Sequence, residues 1–505
     1  MNMLILGKTQ GSLTRARVEG DRVAIDGDRE CLLGYKLDAG RGRNGVFVQW
    51  YLEDGDIVLE NDRYGMYPVY YRVEGRALEF SSSIADLVGN GQPARLNNAA
   101  IAAFLRAGSF FGNTTPFEDV EVLPPGATLR FGLKGMKLAS VRATSGADPK
   151  LSLDQARDAY GELFRASMKK FSNVYSQKVA VPLSGGRDSR HILFAMVASG
   201  AVPDACITMR HRPPKSDEDA EVAGQICDRL GLNHVLLEQW KSLLHVEQEK
   251  NRLTNFCSLE HSWILPLARF LDTSGYDAAF DGIGGDVLSA GLFLSQHRLD
   301  LYRSGKLEQF ADELMVSEAY TARLLSRSAH SSFSRQLALE LIVNELEKYQ
   351  GEVNPVSQFF FWNRTRRHIA LSSWRILQQR PHVLAPFLDE DLYNLLSGLP
   401  PEYFLDHEFH EKTIARQYPQ WADIPYETKS KPHRKVHPTE NLRELGEVMM
   451  HFVAGIHQTP GCNPWSIYPH ILKGLLSPSY YLHSKDVFKL PIYLKQFARQ
   501  FDIQF

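Results

Sequence analysis

The fold of this chain is decided by residues 179–190, which read VAVPLSGGRDSR. An apolar run typical of a buried strand leads into a Ser-Gly-Gly-x-Asp-Ser turn, and a helix-like segment follows at 191–196. Gly185 and Gly186 allow the backbone to turn tightly and to approach a ligand closely. The N–H groups of the turn and of the helix N-terminus would then face one point, which suits an anion such as a phosphate.

The side chains of this turn add the groups that a metal-bound polyphosphate requires. Ser184 and Ser189 carry hydroxyl donors, and the Asp188 carboxylate suits the Mg²⁺ that accompanies pyrophosphate. The turn lacks the final lysine of the Gly-x-x-x-x-Gly-Lys-Ser/Thr phosphate loop. It resembles instead the pyrophosphatase loop of enzymes that split ATP into AMP and pyrophosphate. An ordinary glycine turn with a capping aspartate is the alternative, but six matching residues directly after a strand favour the nucleotide site.

The composition is that of a globular protein with more than one domain. A chain of 505 residues exceeds the size of a single core, so two or three domains are expected. The net charge of −2 gives no indication of wholesale binding to nucleic acid or to an anionic membrane. Five scattered cysteines without Cys-x-x-Cys spacing argue against a disulfide framework or a cysteine zinc site. They favour a reducing compartment such as the cytoplasm. We find neither a secretory signal pattern nor an apolar run of membrane-spanning length.

Residues 1 to about 145 have the pattern of short β-strands. Apolar runs separated by turn residues occur at 23–25, 46–51, 57–60, 69–73, 77–80 and 128–131, with one helix-like segment at 98–105. This pattern favours two packed sheets. The segment 144–150 has the composition of a linker. We therefore predict one domain at 1–148, a second at 149–440, and a helical extension at 441–505 that packs on the second domain.

Beyond the linker, strands and helices alternate. Helices are predicted at 153–171 and 217–230, and further strands at 205–208, 234–237 and 278–280. This spacing is typical of an α/β fold whose parallel sheet is connected by crossover helices. Beyond residue 300 the pattern is mainly helical, as at 336–349.

A second glycine-rich loop, DGIGGD at 281–286, follows the last of these strands. Since the carboxyl ends of parallel strands form the ligand crevice of an open sheet, the two loops are expected to face each other. Asp286 is predicted as a second Mg²⁺ ligand opposite Asp188. The predicted ATP- and pyrophosphate-binding residues are Ser184, Gly185, Gly186, Asp188, Ser189, Met209, Gly282 and Gly284.

At this point the chain resembles the asparagine synthetase family over nearly its whole length to about residue 435. Besides the two loops, the blocks that carry the resemblance are 62–70, 80–83, 123–126, 386–389, 411–416 and 425–429. The resemblance implies an N-terminal Ntn-hydrolase-like β-sandwich of the glutaminase type. It also implies a C-terminal pyrophosphatase-loop domain of the adenine-nucleotide α-hydrolase-like class. Residues 440–505 match nothing that we can name.

The activity implied by the resemblance is that of an AMP-forming carbon–nitrogen ligase that uses ATP and Mg²⁺. A carboxylate attacks the α-phosphorus of ATP to give an acyl-adenylate and pyrophosphate, and ammonia or an amine then displaces AMP. Asp188 and Asp286 would hold Mg²⁺, and Asp286 and Lys429 would be the catalytic residues. Lys429 would stabilise charge on the α-phosphate and the tetrahedral intermediate, although a solvated lysine in a basic run is the alternative.

Two departures from the family pattern point away from asparagine formation from glutamine. Glutamine-using members carry a cysteine directly after the initiator methionine, whereas this chain begins Met1–Asn2–Met3 and Cys31 reads as a core residue. We therefore expect the fold of the N-terminal domain without its glutaminase activity. Asparagine-forming members also carry a glutamate where Ile283 stands. Relatives that close β-lactams or lasso-peptide rings lack both groups.

The missing glutamate leaves the general base open. His191 is a candidate, but a histidine at this position on a helix is more often packed or capping than a general base. Glu260 and His261 are further candidates, since they lie in the region that usually lines the acceptor pocket. Arginines at 364, 366 and 367 suit carboxylate or phosphate recognition, with a salt-bridged helix face as the alternative. The aromatic run 359–362 is expected in the core.

Three functional hypotheses follow from these observations. The leading one is an amide ligase whose substrate is a small molecule, a sugar acid or a peptide closed on itself, with neither nucleic acid nor membrane as partner; a homodimer is compatible with it. The second is a catalytically inactive nucleotide-binding regulatory protein. Such a protein would have no physical reason to keep the metal ligands. The third is another pyrophosphatase-loop enzyme, such as a tRNA-modifying one, which would lack the N-terminal turns at 62–70 and 123–126.

Overall fold

The chain folds around three β-sheets. A computed structural model describes residues 4–37, 42–88, 94–146, 150–213, 215–428, 442–453, 460–503 and 505. Two antiparallel sheets lie in the N-terminal part, and one parallel sheet with its helices lies in the rest. The predicted α/β class, with an N-terminal sandwich and a C-terminal parallel sheet, is confirmed.

The N-terminal sheets pack face to face. Their strands are β1 (Ile5–Leu6), β2 (Thr14–Glu19), β3 (Arg22–Asp26), β4 (Cys31–Lys36), β5 (Gly45–Glu53), β6 (Asp56–Asn61), β7 (Tyr70–Glu74), β8 (Ala77–Ser81), β9 (Glu121–Val122), β10 (Ala127–Gly132) and β11 (Gly135–Ser140). One sheet has the order β1-β4-β5-β6-β10-β11 and the other β3-β2-β8-β7-β9. Trp50 of the first and Phe80 of the second meet edge to face, with ring centroids 5.2 Å apart.

An α-helix, α1 (Asn98–Ala107), accompanies these sheets. It begins where the side chain of Asn97 accepts a hydrogen bond from the backbone N–H of Ala100. It ends at Gly108, whose left-handed backbone (φ 77°) forms the C-cap. The helix is buried along most of its length, because other elements described below cover its outer face.

The parallel sheet has five strands: β12 (Val179–Pro182), β13 (Ala205–Arg210), β14 (His234–Glu238), β15 (Ala278–Phe280) and β16 (His382–Leu384). Their order is β14-β13-β12-β15-β16, so the chain moves outward from β12 in one direction and then returns to its other side. The point where the strand order reverses therefore lies between β12 and β15. Such a switch point opens a crevice at the carboxyl ends of the strands.

Helices connect and surround this sheet. They are α2 (Leu153–Lys170), α3 (Asp188–Ala198), α4 (Glu218–Leu230), α5 (Leu243–Leu253), α6 (Leu265–Thr273), α7 (Gly285–Ser289), α8 (Gln296–Arg303), α9 (Leu307–Leu314), α10 (Glu318–Leu324), α11 (Arg327–Ser332), α12 (Arg335–Glu347), α13 (Pro355–Phe360), α14 (Glu390–Gly398) and α15 (Phe409–Gln417). Helix α13 continues into two π-helical segments, Phe361–Ile369 and Ser372–Leu377. The wide π-turn is rare and occurs mostly at functional sites.

The C-terminal part is helical. Its helices are α16 (Leu442–Val453), α17 (Pro464–Leu476), α18 (Pro478–Ser484) and α19 (Lys489–Phe501). Aromatic rings of α19 contact Phe256 of the second domain and also Phe104 and Phe117 of the N-terminal part. Helix α19 therefore contacts the N-terminal half as well as the second domain, and the predicted domain boundaries stay a prediction.

Three local features differ from the sequence expectations or extend them. The region beyond residue 300 was predicted to be mainly helical, but strand β16 lies within it. A strand of three residues is too short to show an alternating pattern, so the sequence did not indicate it. The described part of the predicted linker is fixed, since the backbone N–H groups of Ser145 and Gly146 bond to Glu352 and Ser397. Ala147–Pro149 lie outside the described residues.

None of the described helices is both long and apolar enough to cross a membrane.

Candidate active site

A cavity of about 320 Å³ opens at the switch point, where both predicted loops meet. The predicted residues that line it are Ser184, Gly186, Asp188, Ser189, Met209, Gly282 and Asp286. Gly185 and Gly284, also predicted, do not line it. Residues that sequence reasoning missed, including the apolar side chains of Ile207, Trp263 and Leu267, form part of its wall. The arrangement combines a polar floor with apolar walls, as a nucleotide requires.

The first loop is shaped by its own serines. The Ser189 hydroxyl accepts a hydrogen bond from the backbone N–H of Ser184 at 3.1 Å, and the Ser184 hydroxyl accepts one from Gly186 at 3.2 Å. The two hydroxyls are 3.1 Å apart. The serines therefore hold the turn in shape, in addition to being the donors that the sequence suggested.

The backbone N–H of Gly185 does not face an empty anion site. It donates to Asp219 Oδ1 of α4 at 2.7 Å. A side chain would fit tightly here, because a Cβ would lie 3.1 Å from that of Glu427 and 3.2 Å from that of Val222. A phosphate at this N–H would have to displace the Asp219 carboxylate.

The two loops interlock through Asp188. A Cβ on Gly282 would lie 2.6 Å from the Asp188 Cβ, and a Cβ on Gly285 would lie 2.6 Å from Asp188 Oδ1. The space that side chains at these glycines would fill is therefore occupied by the aspartate. This contact explains why the second loop is glycine-rich, and it fixes Asp188 next to the start of α7.

Asp188 and Asp286 form an acidic pair in the crevice. The crevice walls shield Asp286 from water, and together with the charge of Asp188 this raises the pKa of the Asp286 carboxyl to about 6. Arg364 Nη1 lies 3.9 Å from Asp286 Oδ2 and partly offsets the repulsion. Carboxylate oxygens are ligands that Mg²⁺ prefers. Two carboxylates line this cavity and repel each other in the absence of a cation, so the residues fit that ion.

A buried hydrogen-bond network lies behind Asp188. His410 Nδ1 is 3.3 Å from Asp188 Oδ1 and 3.0 Å from the Ser289 hydroxyl. On its other side, His410 Nε2 contacts His191 Nδ1 at 3.0 Å and the Tyr160 hydroxyl at 3.2 Å. The three partners of His410 other than Asp188 are buried, so the network orients the carboxylate from below.

His191 therefore belongs to the packed interior and does not line the cavity. Its ring stacks on Phe164 with centroids 3.8 Å apart, and burial lowers its pKa well below the ordinary value. The packed interpretation of His191 agrees with this position. Sequence reasoning missed His410, although the residue directly precedes the quoted block 411–416.

Lys429 lies outside the described residues. The residues before it are held at the first loop: the Glu427 N–H donates to the Gly185 carbonyl at 3.3 Å. The Thr428 hydroxyl donates to Glu218 at 2.7 Å. Arg190 donates to the carbonyl of Ile424 at 2.9 Å. Met1–Met3, on which the expectation about the N-terminal cysteine depends, also lie outside the described residues.

The three arginines of the first π-helical segment have different partners. Arg366 donates to the carbonyls of Gly65 and Leu123, and Arg367 donates to the carbonyl of Thr114. These two buried guanidinium groups join the second domain to the N-terminal sheets. Arg364 instead extends to Asp286 at the crevice.

The remaining candidates separate into two places. Ile283 is 4% exposed and lines the cavity, so the loop position offers no proton acceptor. Glu260 and His261 do not line this cavity; they cluster with His368 beside a second one. The aromatic run Phe359–Trp362 is buried, as expected for a core segment.

Comparison with known proteins agrees with this geometry. Residues 159–439 match the family model described as asparagine synthase. Residues 19–141 match that of a glutamine amidotransferase domain. No curated protein matches the chain. The first match covers more than half of the chain and includes every predicted residue of the crevice.

Proposed function

We propose, from the premise that this chain belongs to the asparagine synthase family, that it is an AMP-forming amide ligase. The family comprises ligases and amidotransferases that typically use ATP. For this chain we infer that a carboxylate is activated as an acyl-adenylate and then transferred to ammonia or an amine. The observation that carries the proposal is the pair Asp188 and Asp286, which line one cavity with the pyrophosphatase loop.

The first step of this proposal is attack of the substrate carboxylate on the α-phosphorus of ATP. One carboxylate oxygen forms the new P–O bond, and pyrophosphate leaves. Asp188 and Asp286 would hold the Mg²⁺ that neutralises the polyphosphate. Ser189, in the first turn of α3, adds a hydroxyl where the helix dipole favours negative charge.

The second step is attack of the amine nitrogen on the acyl carbon, after which AMP leaves. Lys429 is proposed to neutralise the α-phosphate and the tetrahedral intermediate. Support for Lys429 comes from the two preceding residues, Glu427 and Thr428, which bond to the first loop and to α4.

The nitrogen donor is proposed to be ammonia or an amine. Cys31 is the one cysteine within 19–141, the segment that matches the glutamine amidotransferase model. It lies inside β4, where burial raises the pKa of the thiol. A buried, protonated thiol is a poor nucleophile for glutamine hydrolysis.

A second candidate function is an intramolecular cyclase of the β-lactam or lasso-peptide type. The observation that favours it is Ile283, an apolar residue at the cavity wall in place of an acidic one. In this case the amine and the carboxylate would belong to the same substrate molecule.

The test separates nucleotide binding from turnover. Titration calorimetry with Mg²⁺ and α,β-methylene-ATP needs no knowledge of the carboxylate. We expect binding by the parent protein and at least a tenfold loss in Asp188→Asn and in Asp286→Asn, since each removes a metal ligand. Asp300→Asn, on the exposed surface of α8, is the matched control.

Turnover is then assayed with aspartate and ammonium, followed by other carboxylates and peptides. AMP and pyrophosphate as products support the proposal, whereas ADP and phosphate contradict it. Equal turnover with glutamine as the nitrogen source contradicts the assignment of the donor. Unchanged nucleotide binding by Asp188→Asn would contradict the site itself.

A further inference from the structure

A second cluster of chemically reactive side chains lies outside the nucleotide crevice. Glu260, His261 and His368 each present one ligand atom, and these atoms all lie within 4.8 Å of one another. Glu260 and His261 precede the one-turn helix Ser262–Ile264, whereas His368 belongs to the π-helical segment Phe361–Ile369. The two imidazole rings have centroids 4.9 Å apart. The fold therefore brings together residues that are more than a hundred positions apart in the sequence.

Both histidines carry a buried nitrogen that lacks a partner. Within the described part of the chain, His261 Nδ1 and His368 Nε2 have no hydrogen-bond partner, and His368 is 5% exposed. A buried polar atom normally has a partner, and leaving one without costs about 1–3 kcal/mol. The cluster therefore offers two buried ring nitrogens that are available to a bound group.

The charges around the cluster do not exclude a cation. Lys250 is paired with Glu247 at 3.1 Å, and Lys489 with Asp486 at 2.8 Å. Arg364 lies 3.9 Å from Asp286. Lys250 and Lys489 thus each have a carboxylate partner, and the exposed Glu260 contributes its negative charge to the cluster.

The cluster borders a second cavity of about 320 Å³, which Glu260, His368 and Arg364 help to line. This cavity lies between the end of α1, at Gly108, and the aromatic side chains of Phe293 and Phe360. A ligand atom in it could reach an ion held by the two histidines and the glutamate.

We propose that Glu260, His261 and His368 bind a divalent transition-metal ion of the Zn²⁺ class, with an open coordination position toward this second cavity. Two imidazoles and one carboxylate form a donor set typical of Zn²⁺ and related ions. Three protein ligands leave a fourth position for water or a substrate atom, as in catalytic rather than structural zinc sites. The site is distinct from the Mg²⁺ site in the crevice and does not depend on the proposed ligase reaction.

The test uses Co²⁺ as a visible probe and Zn²⁺ as its competitor. Full-length protein is treated with a chelator, dialysed and titrated with Co²⁺ while the visible d–d absorption is recorded. We expect one equivalent of Co²⁺ to bind and Zn²⁺ to displace it. His261→Ala and His368→Ala should each weaken binding about 100-fold, since the loss of a ligand exceeds the 10–100-fold effect of outer-shell partners.

Two further variants keep the test decisive. Glu260→Gln lies on the surface and is expected to fold, so it should weaken Co²⁺ binding even if a histidine variant does not fold. His297→Ala, an exposed histidine of α8, is the matched control and should bind like the parent. Absence of the d–d bands in the parent protein overturns the proposal, and so does unchanged binding in all three cluster variants. Loss of the Co²⁺ signal in Asp188→Asn would place the ion in the crevice and would also overturn it.

Discussion

At the scale of single residues, the crevice depends on glycines that make room for Asp188. Gly282 and Gly285 are needed because the aspartate occupies the space of their missing side chains. The sequence showed that both loops were glycine-rich, but it could not show that the glycines of one loop serve an aspartate of the other. The two carboxylates could be predicted because each lies in a glycine-rich loop that directly follows a strand.

We predict that Gly282→Ala weakens nucleotide binding by displacing Asp188. The new Cβ would lie 2.6 Å from the Asp188 Cβ, so the aspartate or its loop must move. We expect at least a tenfold weaker affinity for Mg²⁺ and α,β-methylene-ATP by calorimetry, in line with the 10–100-fold effect of disturbed metal-site partners. Gly351→Ala is the control, because nothing lies within 4 Å of a Cβ there. Equal affinity in Gly282→Ala and Gly351→Ala would contradict this explanation of the glycine.

We predict that His410→Ala reduces both stability and metal binding. The substitution removes partners of Ser289, Tyr160 and His191 in the interior, so the free energy of unfolding should fall by about 2 kcal/mol. Because the Asp188 carboxylate loses its neighbour, the concentration of Mg²⁺ needed for nucleotide binding should also rise. Urea denaturation and a Mg²⁺ titration measure the two effects. A stability loss with an unchanged Mg²⁺ requirement would show that His410 is structural only.

At the scale of elements, the sequence predicted the strands before the two loops and the helix after the first one. These elements were accessible because a buried strand followed by a glycine turn leaves a strong local pattern. The π-helical segment Phe361–Ile369 was not accessible, since a π-turn differs from an α-turn only in the spacing of its backbone hydrogen bonds and leaves no residue pattern of its own. His368, Arg366 and Arg367 owe their positions to that segment, so their contacts could not be derived from spacing.

The contact between α1 and α10 gives a prediction about pH. Hydrogen bonds from the buried Arg106, at 2.8 and 2.9 Å, lower the pKa of Glu318 to about 2. A carboxyl whose pKa is lowered on folding stabilises the protein above its ordinary pKa of 4.5, and this contribution is lost as the pH falls toward 2. Glu318→Gln should therefore lower the free energy of unfolding by about 3 kcal/mol at pH 7, because it leaves a buried charge without its partner.

The difference in the free energy of unfolding between the parent protein and Glu318→Gln should remain constant above pH 5 and shrink as the pH is lowered to 3. Urea denaturation at pH 7, 5 and 3 measures it. Glu308→Gln, on the exposed face of the neighbouring α9, should show no comparable loss. A difference that is independent of pH would mean that Glu318 acts through packing and not through its charge.

At the scale of the whole molecule, the two halves are joined by polar and aromatic contacts. Arg366 and Arg367 donate to backbone carbonyls at Gly65, Leu123 and Thr114, which are sites that accept hydrogen bonds whatever the local side chain. A composition-based reading could predict two domains and a segment between them. It could not predict that the arginines expected at a substrate site would be used to join the halves.

We predict that Arg366→Ala combined with Arg367→Ala separates the unfolding of the two halves. The parent protein should unfold in one calorimetric transition, because both buried guanidinium groups bond across the boundary. Without them, the carbonyls at 65, 114 and 123 lose their partners, and two transitions should appear. Arg95→Ala, which removes an exposed guanidinium, is the control. A single transition in the double variant would show that the other contacts across the boundary, the aromatic contacts of α19 among them, are sufficient to join the halves.

The position of α19 has a consequence for the biosynthesis of the protein. Its rings cover Phe104 and Phe117, which belong to a domain that leaves the ribosome much earlier. At a usual elongation rate, roughly 20 to 70 seconds separate the synthesis of Phe117 from that of residues 489–501. During that interval an apolar face of the nascent domain is uncovered and open to aggregation or to chaperone capture. Completion of the N-terminal half is therefore a late event, even though its own sheets are synthesised first.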